Sequence, residues 1–239
     1  MLTIVIPCYN ESGNIKNLVE CASSVVKKNT KIKFIFVDNG SKDDTKVVIK
    51  NSLSFHNHPS LQVLYIKKNE GYGGGIMQGL KNATTPYIGW MHADMQTPID
   101  VVNDFQLMIE NMFSSKKLFL KGVRNGKRNF KDLFITKGMQ VFESILFQMP
   151  LEEINAQPTI FHKALLGLAI NPPKDFALDL YFFVCAKRNN FEVVRIDVPF
   201  KDRQYGFSKW NNNFNNRIKT LFGMVTYSFK LKLDIIKEK

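Results

Sequence analysis

The chain has 239 residues, of which 44% are hydrophobic and 23% charged, so a disordered or fibrous protein is excluded and one large globular domain is expected. Lys and Arg number 33 against 21 Asp and Glu, and the resulting net charge of +12 favours anionic partners such as nucleic acid, nucleotide phosphates or an anionic membrane. Neither paired Cys/His zinc spacing nor an aromatic RNA-binding strand occurs in the sequence, so we expect no nucleic-acid partner.

Four short apolar runs, each followed by a pattern of helical spacing, occupy the first half of the chain. The runs are Leu2–Ile6, Ile32–Val37, Leu61–Ile66 and Tyr87–Met91. Helices are expected from about Ile15 to Val26, from Asp43 or Asp44 to about Leu53, from a Gly-rich loop up to about Asn82, and from Pro98 to about Met112. Repeated strand and helix alternation predicts an α/β fold with a mostly parallel central sheet flanked by helices.

The regular alternation of predicted strands and helices ends after Leu120. Helical patterns are expected at 132–147 and 175–189, a strand at 191–198 and a polar loop at 202–209. We expect one domain over residues 1–210 and a basic amphipathic helical extension over residues 211–239.

The cysteine pattern and the N-terminus indicate a cytoplasmic protein. Cys8, Cys21 and Cys185 are odd in number and far apart, which is typical of free thiols in a reducing compartment. The first residues lack the basic region of a signal peptide, and no run of about 18 uninterrupted apolar residues predicts a membrane-spanning helix. Any membrane contact is therefore expected to be peripheral, at the inner face.

Polar loops follow the first four predicted strands. They are Pro7–Glu11, Asp38–Thr45, Asn69–Gly75 and His92–Gln96. Because the carboxyl ends of parallel strands share one edge of the sheet, these loops are expected to converge. In the last loop, polar and acidic side chains alternate with smaller or apolar ones, an arrangement that can aim two or three ligands at a cation holding a diphosphate. Taken alone, this pattern is also common at strand ends that merely face water.

In this order and spacing the four loops resemble those of family 2 glycosyltransferases of the GT-A fold, in particular the dolichyl-phosphate mannose synthase-like branch. The resemblance covers about the first 125 residues and resumes at Arg203–Lys209, which is similar to the R..G.SK element of that branch. It implies an inverting, metal-dependent transfer of a hexose from a GDP- or UDP-linked sugar.

The resemblance implies a nucleotide-sugar site that draws on all four loops. Its expected members are Pro7, Tyr9, Glu11, Asp38, Asn69, Gly71, His92, Ala93, Asp94 and Lys209. Asp38 is expected to accept hydrogen bonds from the nucleobase, and the alternative is that it only caps the next helix. Gly71 and the glycines after it are expected to bring backbone N–H groups close to an anion, and the alternative is a turn needed for tight packing.

The resemblance also implies a divalent cation, Mn²⁺ or Mg²⁺. Family members usually carry Asp at the position of His92, whereas Asp94 and Gln96 keep the oxygen ligands, so these three residues are the expected metal ligands. An imidazole favours Mn²⁺ over Mg²⁺, and the alternative is that His92 touches only ribose or a bridging water. Arg203 is expected to support the departing diphosphate, and Asp94, Asp179 and Arg203 form the expected catalytic set.

Two acceptors stay open at this point. A polyprenyl phosphate is already anionic and needs cations, and the resemblance implies Arg124 for this role, with Lys137 as a weaker second. A sugar hydroxyl in surface polysaccharide or lipopolysaccharide synthesis needs a base, for which the resemblance implies Asp179, although Asp179 can instead be a buried structural residue. The stretch Asn155–Pro158 replaces a motif typical of lipid-phosphate enzymes, so the acceptor pocket is expected to differ from theirs.

The C-terminal residues 217–239 mix apolar side chains with lysines. This pattern is typical of a basic amphipathic helix on an anionic membrane, and equally of a helix packed on its own domain or on a second subunit of a homo-oligomer. Two further functions stay open. One is a nucleotidyl transferase, although the first loop lacks the Gly-rich basic signature of that class, and the other is a non-catalytic nucleotide-sugar-binding protein that lost activity through His92.

Overall fold

A central sheet organises the computed structural model, which describes residues 1–112, 117–126, 130–203 and 214–237. Its strands are β1 Leu2–Cys8, β2 Ile32–Asn39, β3 Leu61–Ile66, β4 Tyr87–Trp90, β5 Leu118–Asn125, β6 Thr159–His162 and β7 Glu192–Pro199. The helices are α1 Ser12–Lys28, α2 Thr45–His56, α3 Gly71–Asn82, α4 Val102–Asn111, α5 Phe130–Phe147, α6 Ala164–Gly167, α7 Leu178–Arg188 and α8 Phe214–Lys237, with a 3₁₀ turn at Ile99–Val101 before α4.

The strands follow the spatial order β3-β2-β1-β4-β6-β5-β7. Among these seven, β6 runs antiparallel to β4 and β5, and the remaining pairs are parallel. The expected α/β fold with a mostly parallel sheet is therefore confirmed. The first four strands end at the same edge, where the four polar loops begin.

Helices cover both faces of the sheet, and the alternation of side chains along each strand sends residues to each face in turn. Ile4 and Ile6 of β1 point to one core with α1 and α4, whereas Val5 points to the other core with α3 and α7. Strands buried on both sides read as continuous apolar runs, which is why β1 and β2 were recognisable in the sequence.

The structure corrects several sequence-based expectations. β6 and α6 were not predicted, because elements of four residues carry almost no periodic signal. α5 begins at Phe130 and α7 at Leu178, against expected starts at residues 132 and 175. The glycines expected to form a loop before the third helix are instead its first turns, because α3 begins at Gly71.

The C-terminal helix α8 packs on the domain through one face. Ser228 and Leu231 are buried, and Leu231 belongs to the core that contains α3 and α7. The boundary near residue 210 stays a prediction, since residues 204–213 lie outside the described ranges. None of the described helices combines the length and the apolar character needed to cross a bilayer.

A buried acid lies in the contact between α5 and α8. Ser228 Oγ donates a 2.6 Å hydrogen bond to Glu143 Oε1, whereas Glu143 Oε2 has no hydrogen-bond partner among the described residues. Glu143 is 1% exposed, and its burial raises the pKa of the carboxyl from 4.5 to about 7. The folded protein therefore holds this proton more tightly than the unfolded chain does, so stability falls as the pH rises from about 4.5 to about 7.

Replacing Glu143 by Gln removes this ionisation and keeps an acceptor for Ser228. We expect Glu143→Gln to raise the free energy of unfolding above pH 7 by on the order of 1–3 kcal/mol and to leave it unchanged near pH 4.5. Urea unfolding followed by circular dichroism measures this difference, with Glu20→Gln, an exposed acid on α1, as the control. A difference that did not change with pH would contradict the assignment.

Candidate active site at the carboxyl edge of the sheet

Hydrogen bonds join the first loop to the second. β1 and β2 end together, with Cys8 opposite Asp38 in the parallel register. The Asn10 N–H donates to Ser41 Oγ at 3.1 Å, and Asn10 Oδ1 accepts from the Lys42 N–H at 2.9 Å. The two loops that were expected to receive the nucleotide base thus form one continuous rim.

Asp38 is buried at this rim. It is 3% exposed, and its Oδ1 accepts a 3.1 Å hydrogen bond from the Ser41 N–H. Ser41 lies four residues before α2 begins at Thr45, so this contact does not cap the helix. Pro7 and Tyr9 lie half-buried at the end of β1. A nucleobase contact of Asp38 through its second oxygen stays a prediction.

Hydrogen bonds of two asparagines hold the third loop against the second. Asn39, the last residue of β2, donates through Nδ2 to Gly71 O at 2.8 Å and accepts through Oδ1 from the Glu70 N–H at 3.1 Å. Asn69 is exposed, and its Oδ1 accepts a 2.7 Å hydrogen bond from the Gly71 N–H. The third loop therefore continues the same rim.

The glycines at the start of α3 are in contact with the chain itself. The N–H groups of Gly73 and Gly74 both donate to Lys174 O, at 2.9 and 3.2 Å. A Cβ atom on Gly73 would collide with the carbonyl oxygen of Pro173, and Gly71 has a φ of +83°, which favours glycine. These contacts are those of the tight-packing alternative, and a contact of Gly71 with an anion stays a prediction.

The fourth loop brings the three expected metal ligands next to the expected diphosphate-binding arginine. Arg203 Nη2 lies 2.7 Å from Asp94 Oδ2, and Arg203 Nε donates to Gln96 Oε1 at 3.2 Å. His92 Nδ1 is 4.0 Å from the same Asp94 oxygen. Asp94 and Ala93 are buried. The other expected basic residue, Lys209, lies outside the described residues.

Glu11 connects the first loop with the fourth. Its Oε2 accepts a 2.7 Å hydrogen bond from Asn14 Nδ2. Burial, and with it the negative charge of Asp94, raises the pKa of Glu11, although Asn14 and the positive charge of Arg203 act in the opposite direction. The mutual influence of Glu11, Asp94 and Arg203 means that these three side chains share one electrostatic environment.

A hydrogen-bonded network leads from His92 into the interior. Tyr72 Oη lies 2.9 Å from His92 Nε2 and donates to Asp179 Oδ2 at 3.0 Å. Gln157 Nε2 donates to Asp179 Oδ1 at 3.0 Å, and Lys121 Nζ lies 3.6 Å from that oxygen. Asp179 is 2% exposed and both of its oxygens are engaged, as the structural alternative for this residue expects.

Lys121 is fully buried at the centre of this network. Its Nζ donates to Thr159 Oγ1 at 2.7 Å and to Ala156 O at 2.9 Å. Burial lowers the pKa of the ammonium group to about 8, whereas the negative charge of Asp179 raises it. Below about pH 8 the lysine is charged, so the network contains an ion pair.

The two expected acceptor cations differ in their surroundings. Arg124 Nε donates a 2.6 Å hydrogen bond to Glu153 Oε2, and its guanidinium lies 5.5 Å from the centre of the Phe200 ring. Lys137 is exposed on α5 and has no hydrogen bond or ion pair with another described residue. Their contact with an acceptor stays a prediction.

Tyr72, Lys121, Gln157 and Thr159 were not among the expected site residues. Tyr72 lies in the third polar loop and Gln157 in the stretch Asn155–Pro158, but neither was singled out. Lys121 carried a signal, because a single lysine inside the apolar run of β5 requires a buried partner. Thr159 stands in a strand too short to predict.

The donor set at the fourth loop fits an open cation site. Asp94, Gln96 and His92 offer a carboxylate, an amide oxygen and an imidazole, a mixture that suits a hard to borderline divalent ion. Within the described ranges no group of three His, Cys, Asp or Glu lies close enough to hold an ion by itself. The remaining ligands would come from the phosphates of a bound substrate, as they commonly do for Mg²⁺.

Solved structures with the same arrangement of strands and helices are GT-A glycosyltransferases. The glucosyl-3-phosphoglycerate synthase of Mycobacterium tuberculosis, solved with Mn²⁺, UDP and glucosyl-3-phosphoglycerate, has a TM-score of 0.69 at 12% identity, covering 97% of this chain and 79% of that one. A mannosyltransferase of Pyrobaculum calidifontis, solved with GDP-Man and Mn²⁺, has a TM-score of 0.69 at 16% identity, covering 96% and 64%. The chain therefore has the GT-A fold.

The family model of glycosyl transferase family 2 matches residues 3–132, and the chain belongs to this family. It is 23% identical over 255 residues to a dolichyl-phosphate beta-glucosyltransferase of Dictyostelium discoideum, covering 100% of this chain and 77% of that protein. A dolichyl-phosphate beta-glucosyltransferase of Trichomonas vaginalis is 22% identical over 251 residues, covering 98% and 69%. The expected resemblance is confirmed, and the protein is a nucleotide-sugar glycosyltransferase.

Proposed function

We propose that this glycosyltransferase moves a hexose, with inversion, from a GDP- or UDP-linked donor to a polyprenyl phosphate, with the help of a divalent cation. The observation that carries the choice of acceptor is the enclosure of Asp179. A hydroxyl acceptor needs a base, and Asp179, the candidate for that role, already accepts from Tyr72 and Gln157 and pairs with Lys121. A phosphate oxygen is already anionic and needs no base. The two dolichyl-phosphate relatives, which align with nearly the whole chain, support the same choice.

The rim of four loops would bind the donor. Asp38, with Pro7 and Tyr9, would receive the base and ribose. Asp94 and Gln96, with His92, would hold the divalent cation, which neutralises negative charge on the departing diphosphate. Mn²⁺ suits this mixed donor set better than Mg²⁺.

Arg203 would act as the chain's own counter-ion for the diphosphate. Its side chain is 31% exposed and contacts Asp94 and Gln96 through separate nitrogens. A cation bound at Asp94 would repel the guanidinium, and the diphosphate is then the negative group within its reach. Arg203 therefore compensates Asp94 before the donor binds and stabilises the leaving group afterwards.

The displacement needs no proton transfer when the acceptor is a phosphate. An anionic phosphate oxygen forms the new bond to the anomeric carbon while the bond from that carbon to the diphosphate oxygen breaks. The electron pair of the broken bond leaves with the nucleoside diphosphate, and attack from the opposite side inverts the anomeric configuration. Bringing the anionic acceptor close to the anionic donor requires cationic side chains. Arg124 would leave its ion pair with Glu153 and bind the acceptor phosphate instead, and Lys137 would make a second contact.

Transfer of labelled hexose from UDP- and GDP-sugars to a polyprenyl phosphate, compared with the free polyprenol, tests this proposal. We expect transfer to the phosphate alone, with Mn²⁺ present. Asp94→Asn should lower kcat/KM by about a hundredfold or more, because a charged contact to the leaving-group site is lost. The matched control Asp100→Asn changes an exposed acid beyond the fourth loop and should leave the rate unchanged. Transfer to a sugar hydroxyl but not to the phosphate would favour the polysaccharide alternative, and donor binding without any transfer would favour the non-catalytic one.

An apolar surface on α5 and α8 would bring the enzyme to the membrane that carries such an acceptor. We call the exposed apolar side chains on these two helices the α5–α8 surface: Phe134, Val141, Ile145, Ile218, Phe222, Phe229, Leu233 and Ile236. Their spacing puts those of each helix on one face, and the two helices are in contact through Phe142 and Phe229, whose rings meet edge to face at 5.7 Å between their centres. Exposed Lys230 and Lys237 flank the α8 face, which suits an anionic leaflet.

Vesicles containing an anionic phospholipid test the role of this surface. Replacing Phe222 and Leu233 by Ser together should weaken cosedimentation about tenfold or more, because each side chain contributes roughly 1.5–3 kcal/mol when fully buried in an apolar phase. Phe55→Ser, on α2 and 85% exposed, is the matched control and should bind like the wild type. Unchanged vesicle binding, with a loss of dimers detected by light scattering instead, would assign the surface to a second subunit.

A further inference from the structure

The imidazole of His92 is fixed at one nitrogen and open at the other. Tyr72 Oη lies 2.9 Å from Nε2, and the two rings meet edge to face with their centres 5.5 Å apart. The other nitrogen, Nδ1, faces Asp94 Oδ2 at 4.0 Å. The orientation of the ring is therefore set by Tyr72, a residue outside the usual metal-binding motif.

The direction of these hydrogen bonds follows from counting protons. A phenol has one proton, and Tyr72 donates it to Asp179 Oδ2 at 3.0 Å. Asp179 is paired with Lys121, so its carboxylate can only accept. Tyr72 Oη is then left with lone pairs for His92, and His92 must donate through Nε2.

A proton on Nε2 of the neutral ring leaves the lone pair on Nδ1, on the side of Asp94. Nδ1 and Asp94 Oδ2 therefore face each other, and these two atoms would hold the ion. The guanidinium of Arg203 also contacts that oxygen, at 2.7 Å, and it must turn away for an ion to bind.

We propose that Tyr72, held by Asp179, is a positioning residue that presents His92 Nδ1 as a ligand to the divalent cation beside Asp94. This inference rests on the proposed function for the presence of a cation, and it adds how the chain uses an imidazole where its relatives usually have a carboxylate. A neutral ligand fixed by an outer hydrogen bond is a common arrangement for metal-bound histidines. It selects a borderline ion such as Mn²⁺ over the harder Mg²⁺.

Binding of Mn²⁺ in the presence of UDP or GDP, measured from the electron paramagnetic resonance signal of free Mn²⁺, tests this role without turnover. Tyr72→Phe removes only the hydroxyl and should weaken Mn²⁺ binding about tenfold or more, the usual effect of losing such an outer contact. The matched control is Tyr181→Phe, which removes the hydroxyl that donates to Ile170 O at 2.8 Å, and it should bind Mn²⁺ like the wild type.

A double-mutant cycle separates positioning from a general structural effect. In the His92→Asp background the ligand is a carboxylate that needs no proton on Nε2, so adding Tyr72→Phe should change Mn²⁺ binding little, and preference should shift toward Mg²⁺. An equal loss in both backgrounds would overturn the proposal, because Tyr72 would then act through the fold.

The protonation of the ring is directly visible by ¹⁵N NMR. In the metal-free wild type we expect the neutral ring of His92 to carry its proton on Nε2, and in Tyr72→Phe to populate both forms. A proton on Nδ1 in the wild type would overturn the proposal, as would Tyr72→Phe binding Mn²⁺ like the wild type. Mn²⁺ binding and NMR that behave as expected, in a protein that transfers no sugar, would refute only the proposed function.

Discussion

A pair of opposite charges in the interior, Lys121 on β5 and Asp179 at the start of α7, is the interaction on which the site depends. Both residues are almost completely buried, and a buried ion costs several kcal/mol unless it is paired and hydrogen-bonded. The protein satisfies both of them through Ala156, Gln157, Thr159 and Tyr72. Because these partners come from β6, the segment before it and α3, the pair links the two halves of the sheet.

The two halves of the sheet contribute different parts of the candidate active site. The half formed by β1 to β4 supplies the loops that would bind the nucleotide and cation. The half formed by β5 to β7 supplies the buried pair, and Tyr72 is the point at which the halves meet, since it contacts His92 on one side and Asp179 on the other. Both oxygens of Asp179 are engaged in this network, which supports the proposed reaction that needs no base.

The sequence was sufficient to predict the half of the molecule in which strands and helices alternate. Parallel strands buried on both faces gave continuous apolar runs, and the loops after them carried Asp38, Asp94 and Gln96 to one edge as expected. The second half could not be predicted in the same way, because β6 has four residues and runs antiparallel. For that reason the partners of Asp179 could not be predicted from the sequence. The contact of the α3 glycines with Lys174 could not be predicted either.

The four loops are proposed to hold a nucleoside diphosphate together, through a cation at Asp94. Calorimetric titration of UDP and of GDP, with and without Mn²⁺, measures this directly. For at least one of the two nucleotides we expect Mn²⁺ to strengthen binding about tenfold or more in the wild type and to have almost no effect in Asp94→Asn, since losing a charged contact at a buried site is costly. Nucleotide binding that is equally strong with and without Mn²⁺, or that gains as much from Mn²⁺ in the variant, would contradict it.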